Sequence, residues 1–126
     1  MQDDEAIALA LAEAKACAER GEVPVGAVLL AADGALLARD GNRILERRDP
    51  TAHAEMLVLR RGAQALGNER LGGTSLFVSL EPCAMCAGAI SLARVGGWCS
   101  RRKMPKAALC CMGRAFSSNP PAITGP

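Results

Sequence analysis

Four side chains in this sequence could act together on one small molecule. His53 and Glu55 lie two residues apart, and Cys83 and Cys86 lie three apart, thirty residues after the histidine. Imidazole and thiolate are ligands that zinc favours. One histidine and two cysteines supply three of them. Three protein ligands leave the fourth tetrahedral position open for water, which separates a catalytic zinc site from a closed structural one. The carboxylate of Glu55, beside the histidine, can then carry protons to and from that water. The chemistry expected of such a set is metal-assisted hydrolysis.

Each residue also has a plainer reading. A CxxC pair occurs by chance and suits two small residues buried in a helix, a lone histidine is commonly a surface or core residue, and a glutamate in a first helical turn is favoured by the helix dipole alone. The combination points the other way. Cys83 and Cys86 at a helix start share one face, as positions i and i+3 do, and can reach one ion. The positive end of that helix favours thiolate. His53 and Glu55, at i and i+2, would point to different sides in mid-helix. They serve one site only if that site sits over the helix end.

The elements that must position these groups follow from the hydrophobic pattern. Asp3 or Asp4 can cap a helix running to about Arg20, stopped by Gly21, with Ile7, Leu11, Ala14 and Ala18 as its apolar stripe. Val23–Leu30 reads as a buried strand, Ala32-Asp33-Gly34 as a hairpin turn and Ala35–Arg39 as the returning strand. Gly41–Pro50 is polar and reads as a loop. Thr51 can cap a second helix over Ala52–Leu66, Thr74–Leu80 reads as a third strand, and Pro82 suits the first position of a third helix ending near Ala93. The order α-β-β-α-β-α predicts an α/β domain with a mixed sheet.

Length and composition set the limits. The chain has 126 residues, the size of one domain, and half of them are hydrophobic. With two Phe, one Trp and no Tyr, the core must be built from Ala, Leu and Val. No run of about 18 apolar residues is present to span a membrane. The opening Met1-Gln2-Asp3-Asp4-Glu5 is acidic where a secretory signal would be basic, so a cytoplasmic location is expected. Six cysteines in such a chain point to metal or catalysis before disulfides, and Cys17, in an Ala-rich stretch, reads as a small core residue. The net charge of +2 includes five basic residues and no acid after Gly96, which leaves ten basic against thirteen acidic side chains before it. Global charge gives no support for nucleic-acid binding.

Longer runs narrow the reading. Gly21-Glu22-Val23-Pro24-Val25-Gly26-Ala27-Val28, Gly41-Asn42-Arg43, Asp49-Pro50-Thr51-Ala52-His53-Ala54-Glu55-Met56 and Leu80-Glu81-Pro82-Cys83-Ala84-Met85-Cys86-Ala87-Gly88-Ala89-Ile90 resemble the bacterial tRNA-specific adenosine deaminases, across nearly all of residues 4–96. H-x-E with P-C-x-x-C is shared by zinc-dependent cytidine, guanine and adenosine deaminases. The longer runs are narrower, and DPTAHAE followed by LEPCxMCAGA points to the tRNA enzymes. The resemblance implies a three-layer α/β/α cytidine deaminase-like fold with a mixed sheet. It implies one Zn2+ per subunit held by His53, Cys83 and Cys86, with Glu55 moving protons to the ring nitrogen and the departing ammonia. It implies that Asn42 hydrogen-bonds the target nucleotide and that the Ala54 backbone contacts the base edge. An asparagine in a turn is the plainer reading of Asn42. The implied partner is a tRNA anticodon stem-loop bound by a homodimer, whose target adenosine is taken from an already single-stranded loop and converted to inosine at the wobble position. Arg43, Arg47, Arg48, Arg60 and Arg61 could meet phosphates, and a solvated charged face explains them equally well. The alternatives are a deaminase of a free base or nucleoside, of guanine or cytosine type, and an inactive zinc-binding remnant.

After Val95 the resemblance stops. Gly96-Gly97-Trp98-Cys99-Ser100-Arg101-Arg102-Lys103 has neither strand nor helix period, and Ser117-Ser118-Asn119-Pro120-Pro121 has loop composition. With suitable codons, one base restored near Gly96 gives V-G-R-V-V-F-S-P-K-D-A, which is similar to the family's continuation. Residues 1–96 are therefore expected to form an incomplete deaminase domain and 97–126 a frameshifted tail, the alternative being a genuine divergent tail. On that reading the sheet lacks its fourth and fifth strands and the C-terminal helices are missing or disrupted. The homodimer then depends on an intact C-terminus, and Cys99, Cys110 and Cys111 have no designed role.

Overall fold

The computed structural model describes residues 1–101 and 109–113. Nine elements follow one another: α1 (Asp3–Glu19), β1 (Gly26–Leu30), β2 (Leu36–Gly41), α2 (Ile44–Arg47), α3 (Ala54–Leu66), β3 (Ser75–Val78), α4 (Ala84–Ala93), β4 (Gly97–Arg101) and β5 (Leu109–Gly113). The strands form one sheet in the order β2-β1-β3-β4-β5. β1 pairs antiparallel with β2 and β3, β3 pairs parallel with β4, and β4 pairs antiparallel with β5. The sheet is mixed, as expected from the element order.

Alternation along the strands divides the core into two layers. Val28, Leu30, Phe77 and Cys99 face α1 and pack with Ala6 and Ala10. Ala27, Leu29, Leu76, Val78 and Trp98 face the other way and pack with Val58 and Leu59 of α3 and Ile90 of α4. This is the three-layer α/β/α arrangement. The buried stripe of α1 is Ala6, Ala10, Ala14 and Cys17, not the predicted Ile7, Leu11, Ala14 and Ala18. The small side chains face inward because the helix lies against the sheet backbone. A Cβ on Gly26 would overlap the Ala10 carbonyl, and one on Gly41 would stand 2.8 Å from Cys17 Cβ.

The hairpin turns at Gly34, with φ 89°, and Asp33 Oδ1 accepts the Ala35 N–H at 2.9 Å. β1 begins three residues later than predicted. Pro24 has no N–H to give a ladder, and Val23 is 63% exposed. Gly41–Pro50 is not all loop, since it contains α2.

The expectation that the fourth and fifth strands are absent is corrected. β4 pairs with β3 from Ser75↔Gly97 to Val78↔Ser100, and β5 pairs with β4. Trp98, Cys99 and Ser100 are buried. Two consecutive faces of β4 are covered, so no period-2 pattern marks it. Cys99, expected to have no role, fills the α1 layer. The predicted C-terminal disruption, Cys110 and Cys111 as side chains, and Ser117–Pro121 lie outside the described residues.

Candidate active site

α3 and α4 begin side by side, and the proposed ligands sit at their first turns. His53 is the N-cap of α3, with φ −74° and ψ 151°. Cys83 is the N-cap of α4, with φ −70° and ψ 174°. Both helices start later than predicted. Thr51 does not cap α3, because its N–H and Oγ1 are bound to Asp49 Oδ1 at 2.8 and 2.7 Å. Pro82 precedes the α4 cap and is not its first helical residue. N-cap positions favour Ser, Thr, Asp and Asn because their side chains satisfy the first amides. Neither His53 nor Cys83 makes such a bond, so both side chains remain available to a third party.

Cys86, one turn into α4, is buried. Its Sγ lies 3.4 Å from His53 Nδ1, and Cys83 Sγ lies 3.7 Å from the same nitrogen. The three ligand atoms lie within 4.8 Å of one another. Tetrahedral zinc, with bonds of about 2.3 Å to sulfur and about 2.05 Å to nitrogen, sets an S···N separation of about 3.6 Å. The residues present therefore fit zinc, and His53 presents Nδ1 to it.

Glu55 points to the same end of α3, the condition under which an i,i+2 pair can share a site. It is 3% exposed, and its Oε1 is buried without a hydrogen-bond partner among the described residues. Burial pushes its carboxyl above the ordinary range, against the opposing pull of its own backbone amide, His53 and Cys86. The expectation that the helix end favours thiolate fails at Cys86. Burial, then the neighbouring Glu55 and Cys83, push that thiol up. Here desolvation outweighs the helix dipole, and a cation is needed to reverse it.

A cavity of about 230 Å³ opens over these groups. Asn42, His53, Glu55, Glu81 and Cys83 contribute polar lining, and Val23, Val25 and Ile44 form an apolar wall. Asn42 Oδ1 accepts the Ala54 N–H at 2.8 Å. Asn42 therefore supplies the missing cap for the first turn of α3 and keeps its amide –NH2 for the cavity. Ala54 is fully buried behind it.

Sequence reasoning missed Asp40 and Glu22. Asp40 is 1% exposed and holds Arg43 Nε at 3.0 Å and Arg61 Nη2 at 2.7 Å. Two of the five arginines considered for phosphates are thus engaged internally. Arg47, Arg48 and Arg60 are exposed and make no ion pair among the described residues. Glu22 accepts amides of α2. No spacing rule announces either carboxylate, since each is defined by a fold contact.

Residues 1–100 match the model of the cytidine and deoxycytidylate deaminase zinc-binding region. The chain is 51% identical over 112 residues to the tRNA-specific adenosine deaminase of Agrobacterium fabrum, covering 89% of this chain and 73% of that protein. It superposes with a TM-score of 0.71 and 55% identity on a solved structure from studies of A-to-I editing by tRNA deaminases at the wobble position, covering 73% of this chain and 70% of that one. It superposes with a TM-score of 0.72 and 37% identity on guanine deaminase from Bacillus subtilis, covering 75% of this chain and 62% of that one. The match across both sequence motifs and the zinc-spaced cradle carry the conclusion that this chain belongs to the cytidine and deoxycytidylate deaminase zinc-binding family, on the branch of the tRNA-specific adenosine deaminases.

Proposed function

We propose that this chain hydrolyses adenosine to inosine at the wobble position of a tRNA anticodon. One observation carries the reaction class: a three-ligand cradle opens on a cavity beside a buried carboxylate oxygen that no described group satisfies. The greater likeness to a tRNA-specific deaminase than to the guanine deaminase supports the substrate. Zinc, when held by His53, Cys83 and Cys86, would supply water activation, lowering the pKa of bound water to about 7. Glu55 takes a proton from the attacking water and gives it to the purine ring nitrogen, then takes the remaining hydroxyl proton and gives it to the leaving amine. One C–O bond forms, one C–N bond breaks, and ammonia leaves. The raised carboxyl suits a group that must both accept and return protons. Asn42, whose Oδ1 holds the Ala54 N–H, offers its amide hydrogens to the nucleotide, and the Ala54 backbone is proposed to contact the base edge.

Arg47, Arg48 and Arg60 are proposed to meet the phosphates of the stem-loop. A second copy of the chain is proposed to cover α4. This uncharged helix buries only Cys86 and Ile90 and leaves Met85 38% and Leu92 72% exposed. No helix among the described residues is long and apolar enough to cross a membrane. A cytoplasmic location is proposed, where tRNA is met and the site thiols stay reduced. Residues 1–96 are proposed as the deaminase domain and 97–126 as the product of a one-base shift. Resequencing the source DNA across codons 90–126 decides that point.

The test is inosine formation in an adenosine-containing anticodon hairpin, compared with release of ammonia from free guanine, cytosine and their nucleosides. The hairpin should turn over and the free compounds should not. Glu55→Gln should lower kcat by about 10²-fold or more while zinc content is kept. Turnover of a free base, or zinc uptake with no turnover of any substrate, would refute the substrate or the activity respectively.

A further inference from the structure

α2 has four residues, none of them buried, and no side-chain cap of its own. Leu45 is 68% exposed. So short a helix has no stability of its own, and apolar packing does not seat it. It nevertheless carries Ile44 into the wall of the cavity. What holds it is a carboxylate from another segment. Glu22, 6% exposed, accepts the Leu45 N–H at 3.1 Å and the Glu46 N–H at 3.0 Å through Oε2. Glu22 directly precedes Val23, and Val23 and Val25 complete the same apolar wall.

The attachments around this clamp converge on Asn42. Arg20 Nη2 donates to the Asn42 carbonyl at 3.2 Å, and Arg20 Nε lies 3.8 Å from Glu46 Oε1. The Arg43 N–H donates to the Ala52 carbonyl at 3.0 Å, closing the base of the 43–52 segment. Hence one buried carboxylate joins both halves of the wall facing the reacting groups.

We propose that Glu22 is a positioning residue. By holding the N-terminus of α2 it seats Ile44 against Val23 and Val25, and so sets how tightly the cavity grips its target base. Glu22 touches neither the ligand set nor Glu55, so its loss should act on binding and leave chemistry alone. Without it the seated state of α2 becomes one of several. If about a tenth of molecules remain seated, apparent affinity falls about tenfold. This inference rests on the reading of the cavity as the substrate pocket, and its test separates the two.

Zinc-loaded wild type, Glu22→Ala and Glu22→Gln are compared by amide hydrogen exchange without substrate, and by kcat and KM on the adenosine hairpin. In Glu22→Ala, the Leu45 and Glu46 amides should exchange at least about tenfold faster and KM should rise about tenfold, with kcat within about twofold. Glu22→Gln keeps an acceptor oxygen and should fall between the two, which guards against a folding failure of the alanine variant. Unchanged exchange at Leu45 and Glu46 overturns the clamp. Faster exchange with KM unchanged, or a loss confined to kcat, overturns its role in gripping the base. A wild type with no activity on the hairpin refutes the substrate reading, and the exchange arm still decides the clamp.

Discussion

Removing the Asp40 carboxylate tests the frame behind Asn42. The side chain of Asp40 is 2% exposed. It accepts the Gly41 N–H at 2.8 Å, Arg43 Nε at 3.0 Å on both oxygens, and Arg61 Nη2 at 2.7 Å. Hydrogen bonds to a charged group contribute about 1.5–3 kcal/mol each, and stranding one partner of a buried ion pair costs about 3–5 kcal/mol. The two arginines differ in what they can do next. The Arg61 side chain is 43% exposed and can turn to solvent. The Arg43 side chain is 24% exposed and keeps only Glu46, at 2.7 Å and itself 48% exposed. The loss therefore comes from the Gly41 amide and Arg43, and Asp40→Ala should cost about 3 kcal/mol. For about a hundred ordered residues, that lowers Tm by about 12 °C. Thermal melts of zinc-loaded Asp40→Ala, Arg43→Ala and Arg61→Ala check the ranking, with Arg61→Ala costing about 1 kcal/mol or less. A shift of under about 4 °C for Asp40→Ala, or an Arg61→Ala cost equal to that of Arg43→Ala, would refute the reasoning.

Three further outcomes are expected. Ser100 is fully buried and its Oγ has no partner among the described residues, so Ser100→Ala should raise stability by about 1 kcal/mol in a denaturant titration; a destabilised variant would mean the hydroxyl has a partner. Burial holds the proton on the Cys86 thiol, so zinc must displace it. Calorimetry in buffers of different ionisation enthalpy should detect proton release, and affinity should fall as pH falls, by up to about tenfold per pH unit for each thiol proton released. At Glu22, burial opposes ionisation, yet the amides of Glu46, Leu45 and Ile44 and the charge of Arg20 hold the carboxyl below its ordinary 4.5. A depressed carboxylate stabilises fully above its unfolded pKa and loses that contribution as pH falls through the lower folded value. The Leu45 and Glu46 amide resonances should therefore titrate together with a midpoint below 4.5.

The chemistry of the site was legible in the sequence because its spacing is local. Cys83 and Cys86 meet within one turn, and the i,i+2 placement of His53 and Glu55 forced the site over a helix end, where the structure puts it. The boundaries were less legible. Thr51 reads as a cap by residue type, but Asp49 takes its hydroxyl and Asn42, twelve residues before the Ala54 amide it accepts, does the capping instead. The stripe of α1 was misread because large apolar residues normally face a core. Here contact with Gly26 and Gly41 admits only Ala and Cys. Asp40 and Glu22 could not be found by pattern at all, since their partners are amides and guanidiniums brought near only by the sheet and the 43–52 segment.

Every ligand precedes Gly96, and it is tempting to treat the site as independent of the chain beyond that residue. The packing argues otherwise. α4 carries two of the three ligands but buries only Cys86 and Ile90, and ten residues are too few to be helical unaided. Ile90 packs in the same layer as Trp98, and β4 returns alongside β3 directly after the helix. The strand that follows the site motifs is therefore the one that holds α4 to the sheet. It does so while burying a serine hydroxyl and the Trp98 indole N–H that have no partner among the described residues, each a cost of about 1–3 kcal/mol. The cradle is encoded before Gly96, but the rigidity with which it is presented is decided after it.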